Sequence, residues 1–173
     1  MNNPMYFNSG MYRKGDYLMM ITKRMDKNFT FGQVIEDNGF CKISYYPLGG
    51  GRDTGEENSL NREVHEEIKL DLLPYNNNLI KYGKLIRNRE FERDGNKYCG
   101  LWIELYILVV EDEKLLSHLN KIALNQDFSW FELDKVLYSS QPIDEHEGGE
   151  PIISIESWNN FCIQNQLVDF IID

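Results

Sequence analysis

The sequence predicts an α/β fold, an α/β sandwich with a mixed β-sheet, and three observations support this prediction. Segments with the apolar or alternating pattern of strands lie on both sides of one segment with helical spacing. The turn signal Asp94-Gly95 joins two long strand-like segments, which must pair antiparallel. Further helical segments follow this pair, so helices are available to cover the sheet.

The first half of the chain predicts two strands, a glycine loop and one helix. Residues 15–23 are apolar in the middle with polar flanks, as in a buried strand, and residues 40–46 alternate as in a second strand. Residues 47–51, Pro-Leu-Gly-Gly-Gly, predict a loop with unusual backbone freedom. Residues 60–70 have helical spacing, so we expect a helix directly after this loop region.

The second half predicts a long hairpin followed by helices and one short strand. The hairpin strands cover residues 79–92 and 97–110, with the tight turn between them. The remaining predicted elements are a helix at 113–124, a strand at 129–133 with Asp134 capping the turn after it, an acidic loop at 141–150 and a closing helix from 152 to about 170 that begins near Ser154 or Ser157.

Length and charge limit the classes of function. The chain has 173 residues and 42% apolar side chains, which suits one globular domain over residues 1–173. It carries 28 acidic and 18 basic side chains, and the resulting net charge of −10 disfavours extended contact with a nucleic-acid backbone. A small anionic substrate is still compatible with this charge if a divalent cation mediates the contact.

Targeting signals and cysteine usage predict a cytoplasmic protein. The sequence has no apolar run long enough to span a membrane, and its first residues lack the basic and apolar regions of a secretory signal. The three cysteines, Cys41, Cys99 and Cys162, are far apart and fit neither a disulfide framework nor a zinc site. We therefore expect reduced thiols and no membrane partner.

The predicted helix at 60–70 has two distinct faces. The apolar face carries Leu60, Val64 and Ile68, which fall on one stripe of a helix. A neighbouring arc carries three carboxylates at spacing i, i+3 and i+4, namely Glu63, Glu66 and Glu67. Three like charges repel one another, so such a cluster either serves solubility or is neutralised by a cation. Mg²⁺ suits the second case because it prefers oxygen ligands and often bridges carboxylates to phosphates.

Two neighbouring features favour a ligand site over a solvated helix face. The glycines at 49–51 allow a ligand to approach the backbone, whose N–H groups or carbonyls can contact phosphate or metal. Arg62 precedes Glu63 and lies four residues before Glu66, so it can hold a glutamate in place or contact a phosphate.

Residues 49–70, GGGRDTGEENSLNREVHEEIKL, resemble the signature of the Nudix hydrolases. That signature is Gly, five residues, Glu, seven residues, then Arg-Glu-apolar-any-Glu-Glu-any-Gly-apolar. Gly50 and Glu56 match its first half, the segment Arg62 to Glu67 matches its second half residue by residue, and Leu70 matches the final apolar place. The segment Trp130-Phe131-Glu132-Leu133 also resembles a strand that recurs in this family.

The chain departs from the signature at two places. Only residues 57–61 separate Glu56 from Arg62, which is two fewer than in the family, so Gly51 with Glu57 is an equally good alignment of the first half. Lys69 stands where the family has glycine, and we expect a different helix exit because lysine is disfavoured in a left-handed C-terminal position.

The resemblance implies a Nudix-like α/β/α sandwich and a metal-dependent hydrolase of a phosphoanhydride bond. The implied cofactor is Mg²⁺ or Mn²⁺. The implied substrate is a nucleoside-diphosphate-linked molecule: a nucleoside triphosphate, a nucleotide sugar such as ADP-ribose, or a dinucleoside polyphosphate. A capped RNA end and a nucleotide-binding module without turnover are the alternatives, and the oligomeric state stays open, with a homodimer as one option.

The resemblance also assigns roles by position. The metal ligands would be Glu63, Glu66 and Glu67, with Arg62 as the orienting residue and the Gly50 carbonyl as a further ligand. The substrate-binding residues would be Gly49, Gly50, Gly51 and Arg52. For the general base we consider Glu66, Glu104 on the hairpin and the acidic residues of the loop at 141–150, where Glu147 ranks first because Gly148-Gly149 gives it mobility.

Other polar and aromatic residues are weaker candidates. His65 lies on the helix side away from the glutamates, so we expect it on the surface. Three arginines near the hairpin tip could protect an exposed edge or grip extra phosphates: Arg87, Arg89 and Arg93. Five aromatic residues could stack on a base, although strand aromatics are usually core: Tyr45, Tyr46, Phe91, Trp102 and Trp130.

Overall fold

The structure is a computed structural model that describes residues 5–7, 10–37, 42–137 and 153–173. Over these residues the chain forms both strands and helices, and the predicted α/β class is confirmed. The chain divides into two compact units: unit 1 comprises Met1–Leu18 and Leu48–Ile107, and unit 2 comprises Met19–Pro47 and Leu108–Asp173. The assignment of residues 1–173 to a single domain stays a prediction.

Unit 1 contains a paired sheet region, one helix and a long hairpin. Its elements are β1 (Met5–Phe7), the first part of β2 (Gly10–Arg24), β5 (Leu48–Gly51), α1 (Leu60–Ile68), a 3-10 helix (Leu73–Asn78), β6 (Ile80–Arg93) and β7 (Asn96–Val109). Strands β6 and β7 pair antiparallel, and their turn residues Asp94 and Gly95 have φ of 53° and 79°, as a two-residue type I′ turn requires. The predicted hairpin is therefore confirmed.

The predicted loop at 47–51 is wrong, because most of it forms strand β5. Residues Leu48 to Gly51 pair antiparallel with β2, with Leu18 opposite Leu48 and Gly15 opposite Gly51. A run of glycines has no side-chain alternation, so the pairing partner on β2 decides the conformation. Gly49 has φ 132°, and a Cβ there would lie 2.1 Å from the Asp16 carbonyl oxygen, so this position requires glycine.

Helix α1 packs its predicted apolar face inward. Leu60, Val64 and Ile68 are all buried, which confirms the stripe. The expected change in the helix exit is wrong, since Lys69 adopts the left-handed conformation at φ 57° and ψ 35°. Its backbone N–H donates to the His65 carbonyl at 2.9 Å. Lysine therefore adopts the left-handed conformation here, although glycine would adopt it at a lower free-energy cost.

Unit 2 is organised around a strand that the sequence analysis did not predict, β3 (Lys27–Asp37). The other elements of unit 2 are the end of β2, β4 (Lys42–Tyr46), α2 (Glu113–Ile122), β8 (Phe128–Glu132), α3 (Leu133–Val136), α4 (Ile155–Gln164) and a 3-10 helix (Val168–Phe170). Strand β3 pairs antiparallel with the end of β2, with β4 and with β8. Phe31 of β3 is fully buried and packs against Phe128 and Trp130.

Two predicted details of unit 2 are wrong. Asp134 does not cap the turn after β8, because α3 already begins at Leu133 and its N-cap residue is Glu132. The closing helix ends at Gln164 instead of near residue 170, and Gln166 then takes φ 60°, which breaks the helical path. Ser154 is the N-cap of α4 as predicted, because its hydroxyl accepts a hydrogen bond from the Ser157 N–H.

The structure describes two of the three cysteines and the helices within the ranges given above. Cys99 and Cys162 are free, and burial raises the pKa of the Cys162 thiol to about 11. None of the helices within the described ranges is both long and apolar enough to cross a membrane. Cys41 and the acidic loop at 141–150, with Glu147, lie outside the described residues.

Candidate active site

The candidate site lies where α1 meets the free edge of β5 in unit 1. The Gly49 N–H donates to Glu67 Oε1 at 2.8 Å, and the Gly51 carbonyl accepts from Arg62 Nη2 at 3.1 Å. These two bonds hold the charged side of α1 along the edge of β5. Side chains of α1 thereby satisfy one backbone N–H and one backbone carbonyl of β5.

Gly50 sets the distance between β5 and α1. A Cβ at this position would lie 2.5 Å from Glu63 Cδ, which is far inside van der Waals contact. Because Gly50 has no side chain, the Glu63 carboxylate can pack directly against the backbone of β5. This close approach gives a physical reason for glycine at this position that does not depend on the family resemblance.

Arg62 is the centre of an ion-pair cluster. Its Nε donates to Glu56 Oε2 at 2.8 Å and its Nη2 donates to Glu56 Oε1 at 2.9 Å, a two-pronged contact. Its Nη1 also reaches Glu63 Oε1 at 3.2 Å and Glu66 Oε1 at 3.4 Å. The carboxylates around Arg62, above all Glu56, raise its pKa, and the hydrogen bonds from Arg62 lower the pKa of Glu56.

This cluster distinguishes the two alignments of the first half of the signature. Glu56 binds Arg62 and also accepts a hydrogen bond from the Asp53 N–H at 2.7 Å, whereas Glu57 is exposed. The shortened segment at 57–61 therefore still brings Glu56 to Arg62. These contacts favour the alignment of Gly50 with Glu56 over that of Gly51 with Glu57, and the choice between the two stays a prediction.

The carboxylates of Glu63, Glu66 and Glu67, called the α1 carboxylates below, differ in environment. The Glu66 side chain is 57% exposed and the Glu63 side chain is 20% exposed. Burial raises the pKa of Glu67 to about 8, against the lowering effect of the Gly49 N–H, and the charges of Glu63 and Glu66 raise it further. Burial is also the main cause that raises the pKa of Glu63. Burial and the neighbouring carboxylates thus disfavour the ionised form of Glu67, and a bound cation would favour that form.

The α1 carboxylates are ligands of the type that a hard divalent cation prefers, although their side chains are not arranged around a common cation position. Carboxylate oxygens that repel one another at a partly dry helix face are suitable ligands for Mg²⁺ or Mn²⁺. Within the ranges that the structure describes, no group of three or more His, Cys, Asp or Glu side chains is arranged to hold a metal ion. Arg62 engages Glu63 and Glu66, so these two carboxylates must turn away from it before they can share a cation.

The substrate contact of Arg52 stays a prediction, and in the structure its guanidinium contacts two carboxylates. Its Nε and Nη2 donate to the two carboxylate oxygens of Asp16 at 2.8 and 2.9 Å, and Nη2 also donates to Glu104 Oε2 at 2.7 Å. Only 8% of the Arg52 side chain is exposed. The guanidinium is therefore held by two carboxylates inside unit 1.

Asp16 is a polar residue of this region that the sequence analysis missed. It is fully buried on β2, directly before the apolar run at residues 17–21. A single acid in such a strand was a usable signal, because a buried carboxylate requires hydrogen-bond or ionic partners. The partners themselves, Arg52 and Ser59, are too distant in the sequence to be recognised by spacing.

The candidate general bases are not equally accessible. Glu104 is 16% exposed and accepts from Arg52 and from Lys81, whose Nζ lies 3.3 Å from Glu104 Oε1. Glu66 is largely exposed and meets Arg62 at 3.4 Å. Of the candidates in the described part of the chain, Glu66 is the more available to water.

The remaining sequence candidates lie outside the site or on its periphery. His65 is exposed, as expected, and so are Arg89 and Arg93 near the hairpin tip. Most of the aromatic residues pack against other rings: Tyr45 against Phe131, Trp130 against Phe31, and Phe91 against Tyr98. Trp102 is half-buried with Lys84 Nζ 5.3 Å from its ring centroid, and its role in base stacking stays a prediction.

Comparisons with known proteins give matches at the level of structure only. No protein-family model matches the chain, and no curated protein matches it. Among solved structures, Shewanella oneidensis NrtR matches at 18% identity and a TM-score of 0.49, over 75% of this chain and 56% of that chain. The present chain thus spans little more than half the length of that protein.

Two further solved structures match over most of their own length. The Ap4A hydrolase of C. elegans matches at 18% identity and a TM-score of 0.41, over 72% of this chain and 83% of that chain. A mutT/nudix family protein from Listeria innocua matches at 16% identity and a TM-score of 0.47, over 90% of this chain and 93% of that chain. At these values the likeness assigns neither a substrate nor a metal to the present chain.

Proposed function

We propose that the protein is a metal-dependent hydrolase that splits a phosphoanhydride bond in a nucleoside-diphosphate-linked substrate. The substrate class comprises nucleoside triphosphates, nucleotide sugars such as ADP-ribose, and dinucleoside polyphosphates. The observation that carries the proposal is the set of α1 carboxylates held against β5, with a Glu67 pKa of about 8. A set of carboxyl groups whose ionised form needs a nearby cation, beside a glycine strand, is a setting in which a divalent cation and a diphosphate can bind together.

The residues that would hold Mg²⁺ or Mn²⁺ are the α1 carboxylates, with the Gly50 carbonyl as a further ligand. A bound divalent cation supplies charge neutralisation of the diphosphate and lowers the pKa of water. Arg62 keeps its two-pronged contact with Glu56 while Glu63 and Glu66 turn away from it, because its bonds to Glu56 are shorter, at 2.8 and 2.9 Å. Arg62 therefore orients the face of α1 that carries the carboxylates, and it keeps its own place on that face.

The protein's own groups then bind the substrate and move the proton. Gly49, Gly50 and Gly51 have no side chains of their own, so a phosphate could approach the backbone of β5 closely once the Glu63 and Glu67 carboxylates turn aside. Glu66 is our candidate for the general base, because its exposed carboxylate can accept a proton from the attacking water at Oε1 or Oε2. Glu147 stays a second candidate for this role.

The test compares the variant Glu67→Gln with the control Glu57→Gln. Both changes remove one carboxylate close to or on α1, but Glu57 is exposed and does not belong to the α1 carboxylates. The purified proteins are incubated with nucleotides, nucleotide sugars, dinucleoside polyphosphates and capped RNA in Mg²⁺ or Mn²⁺, and products are identified by mass. We expect Glu67→Gln to lose at least about 100-fold in kcat/KM while Glu57→Gln stays near wild type.

A second candidate function is a nucleotide-binding module without turnover. The observation that favours it is the double engagement of Glu63 and Glu66 by Arg62, which already neutralises part of the charge that a metal would need. This candidate predicts nucleotide binding with no product at millimolar Mg²⁺ or Mn²⁺. A capped RNA end is a narrower alternative within the hydrolase proposal, favoured by the exposed Arg89 and Arg93.

A further inference from the structure

We propose that Asp16, Arg52 and Glu104 form a positioning network that fixes the start of α1 and the Gly50 carbonyl for the reaction. The inference rests on the proposed function, and it changes the role of Arg52. Arg52 acts on the substrate only through the helix and strand that it holds in place.

The centre of the network is the Asp16 carboxylate, which is fully buried. Asp16 Oδ2 accepts hydrogen bonds from Arg52 Nε at 2.8 Å and from the Ser59 backbone N–H at 2.8 Å. Asp16 Oδ1 accepts from Arg52 Nη2 at 2.9 Å. A buried carboxylate is tolerated only when it is paired and hydrogen-bonded in this way, so Asp16 has little freedom to move.

Ser59 links the fixed Asp16 carboxylate to the candidate site. It is the N-cap residue of α1, yet its hydroxyl forms no capping bond to the helix. The hydroxyl lies 3.0 Å from Asp16 Oδ2 and 2.8 Å from the Gly50 carbonyl oxygen, so its single hydrogen is donated to one of these acceptors or shared between them. Because Gly50 also faces Glu63, a shift of Ser59 displaces the carbonyl and the first α1 carboxylate together.

Glu104 ties the same network to strand β7. Its Oε2 accepts from Arg52 Nη2 at 2.7 Å, which is the shortest of the three bonds that Arg52 makes. A second link runs in parallel, since Asn58 Nδ2 donates to the Tyr106 hydroxyl at 3.1 Å. The segment that precedes α1 is thus held by hydrogen bonds to residues of both β2 and β7.

The competing interpretation is that Arg52 binds the anionic substrate directly. Its side chain is 8% exposed, and both Nε and Nη2 already donate to carboxylates. A phosphate that took over Nε or Nη2 would have to displace Glu104, which would keep Lys81 as a partner, or Asp16, whose fully buried carboxylate would then lose its ion-pair partner, which is strongly unfavourable. The two interpretations predict opposite effects when the Glu104 charge is removed.

The test uses Glu104→Gln and Arg52→Lys, neither of which removes Asp16. The matched controls are Glu113→Gln and Arg24→Lys, which change the exposed ion pair between Arg24 and Glu113 in unit 2. The positioning network predicts that Glu104→Gln lowers kcat and raises the Mn²⁺ concentration for half-maximal activity, each by about 10–100-fold. The KM for substrate at saturating Mn²⁺ should stay within about twofold of wild type.

Direct substrate binding by Arg52 predicts the reverse for Glu104→Gln. Removing a competing carboxylate would free the guanidinium for the phosphate, so KM would fall while kcat and the Mn²⁺ requirement stay unchanged. That result would overturn the proposal. Arg52→Lys should follow Glu104→Gln in lowering kcat, because lysine keeps the charge but cannot make the two-pronged contact with Asp16.

Hydrogen exchange separates this inference from the proposed function. If the wild-type protein hydrolyses nothing, the hydrolase proposal fails, but the network still predicts faster amide exchange at residues 59–63 in Glu104→Gln and Arg52→Lys. Exchange in α4 should not change, and the controls should leave both segments as in wild type. Unchanged exchange at residues 59–63 in both variants would overturn the positioning role.

Discussion

Two arginines of unit 1, Arg52 and Arg62, each bind several carboxylates, yet their surroundings differ. Arg52 is 8% exposed and contacts a fully buried Asp16, whereas Arg62 is 31% exposed and contacts Glu66, which is 57% exposed. Rearranging the first cluster would leave a charge unpaired inside the protein, while water can replace the partners in the second. The comparison teaches that the Arg52 cluster is suited to hold the scaffold and the Arg62 cluster is suited to rearrange around a ligand.

The largest expected effect is on stability, and it tests the difference between the Arg52 cluster and the Arg62 cluster. Asp16→Ala leaves Arg52 without its main partner and removes the acceptor of the Ser59 N–H, so it should cost about 3–5 kcal/mol in the free energy of unfolding. Arg62→Ala removes partly exposed ion pairs and should cost about 1 kcal/mol or less. Urea denaturation followed by circular dichroism measures both values. Equal costs for the two variants would contradict the division of roles.

A second variant tests the distance between β5 and α1. Gly50→Ala places a methyl group 2.5 Å from Glu63 Cδ, so Glu63 must move, and we expect kcat/KM to fall by about 10–100-fold. Gly55→Ala is the control, because a Cβ there meets nothing within 4 Å although φ is 88°. The control should lose about 1–2 kcal/mol of stability from backbone strain and keep its turnover. A similar loss of turnover in both variants would mean that strain, and not the contact with Glu63, is responsible.

The smallest expected effect concerns pH and the Arg62 cluster. Hydrogen bonds from Arg62 lower the pKa of Glu56 from its ordinary value of 4.5. A lowered carboxyl pKa contributes stability that is present above pH 4.5 and is lost as the pH falls through the lower, folded-state value. Because Glu56 is partly exposed, the contribution should be about 1 kcal/mol or less.

Acid titration of the thermal midpoint measures this contribution. The wild-type midpoint should fall more steeply below pH 4.5 than that of Glu56→Gln, which lacks the titrating group. Glu57→Gln, an exposed neighbour, should behave as wild type. Parallel curves for wild type and Glu56→Gln would contradict the proposed strength of the contact between Glu56 and Arg62.

The parts of the fold that could be predicted are those with a local signal. The stripe of Leu60, Val64 and Ile68 follows the helical period, and Asp94-Gly95 meets the dihedral demands of a hairpin turn. Strand β3 could also have been found, because Phe29 and Phe31 alternate with polar residues in its first half. These elements depend on residues that are close in the sequence.

The parts that could not be predicted depend on distant partners. Strand β5 forms because β2 supplies its pairing partner, and glycines carry no pattern that reveals this. Arg52 looked like a phosphate ligand beside a glycine run, since nothing near it in the sequence indicates that Asp16 and Glu104 would bind it. For the α1 carboxylates, the spacing predicted their shared face, but not that Arg62 engages two of them.

Direct measurement of Mn²⁺ binding tests the central claim most closely. Electron paramagnetic resonance follows the free Mn²⁺ signal as wild type, Glu67→Gln and Glu57→Gln are added in turn. The account predicts that wild type and Glu57→Gln remove the signal alike, and that Glu67→Gln binds at least about 10-fold more weakly. Equal Mn²⁺ uptake by wild type and Glu67→Gln, or no uptake by wild type at millimolar Mn²⁺, would contradict it.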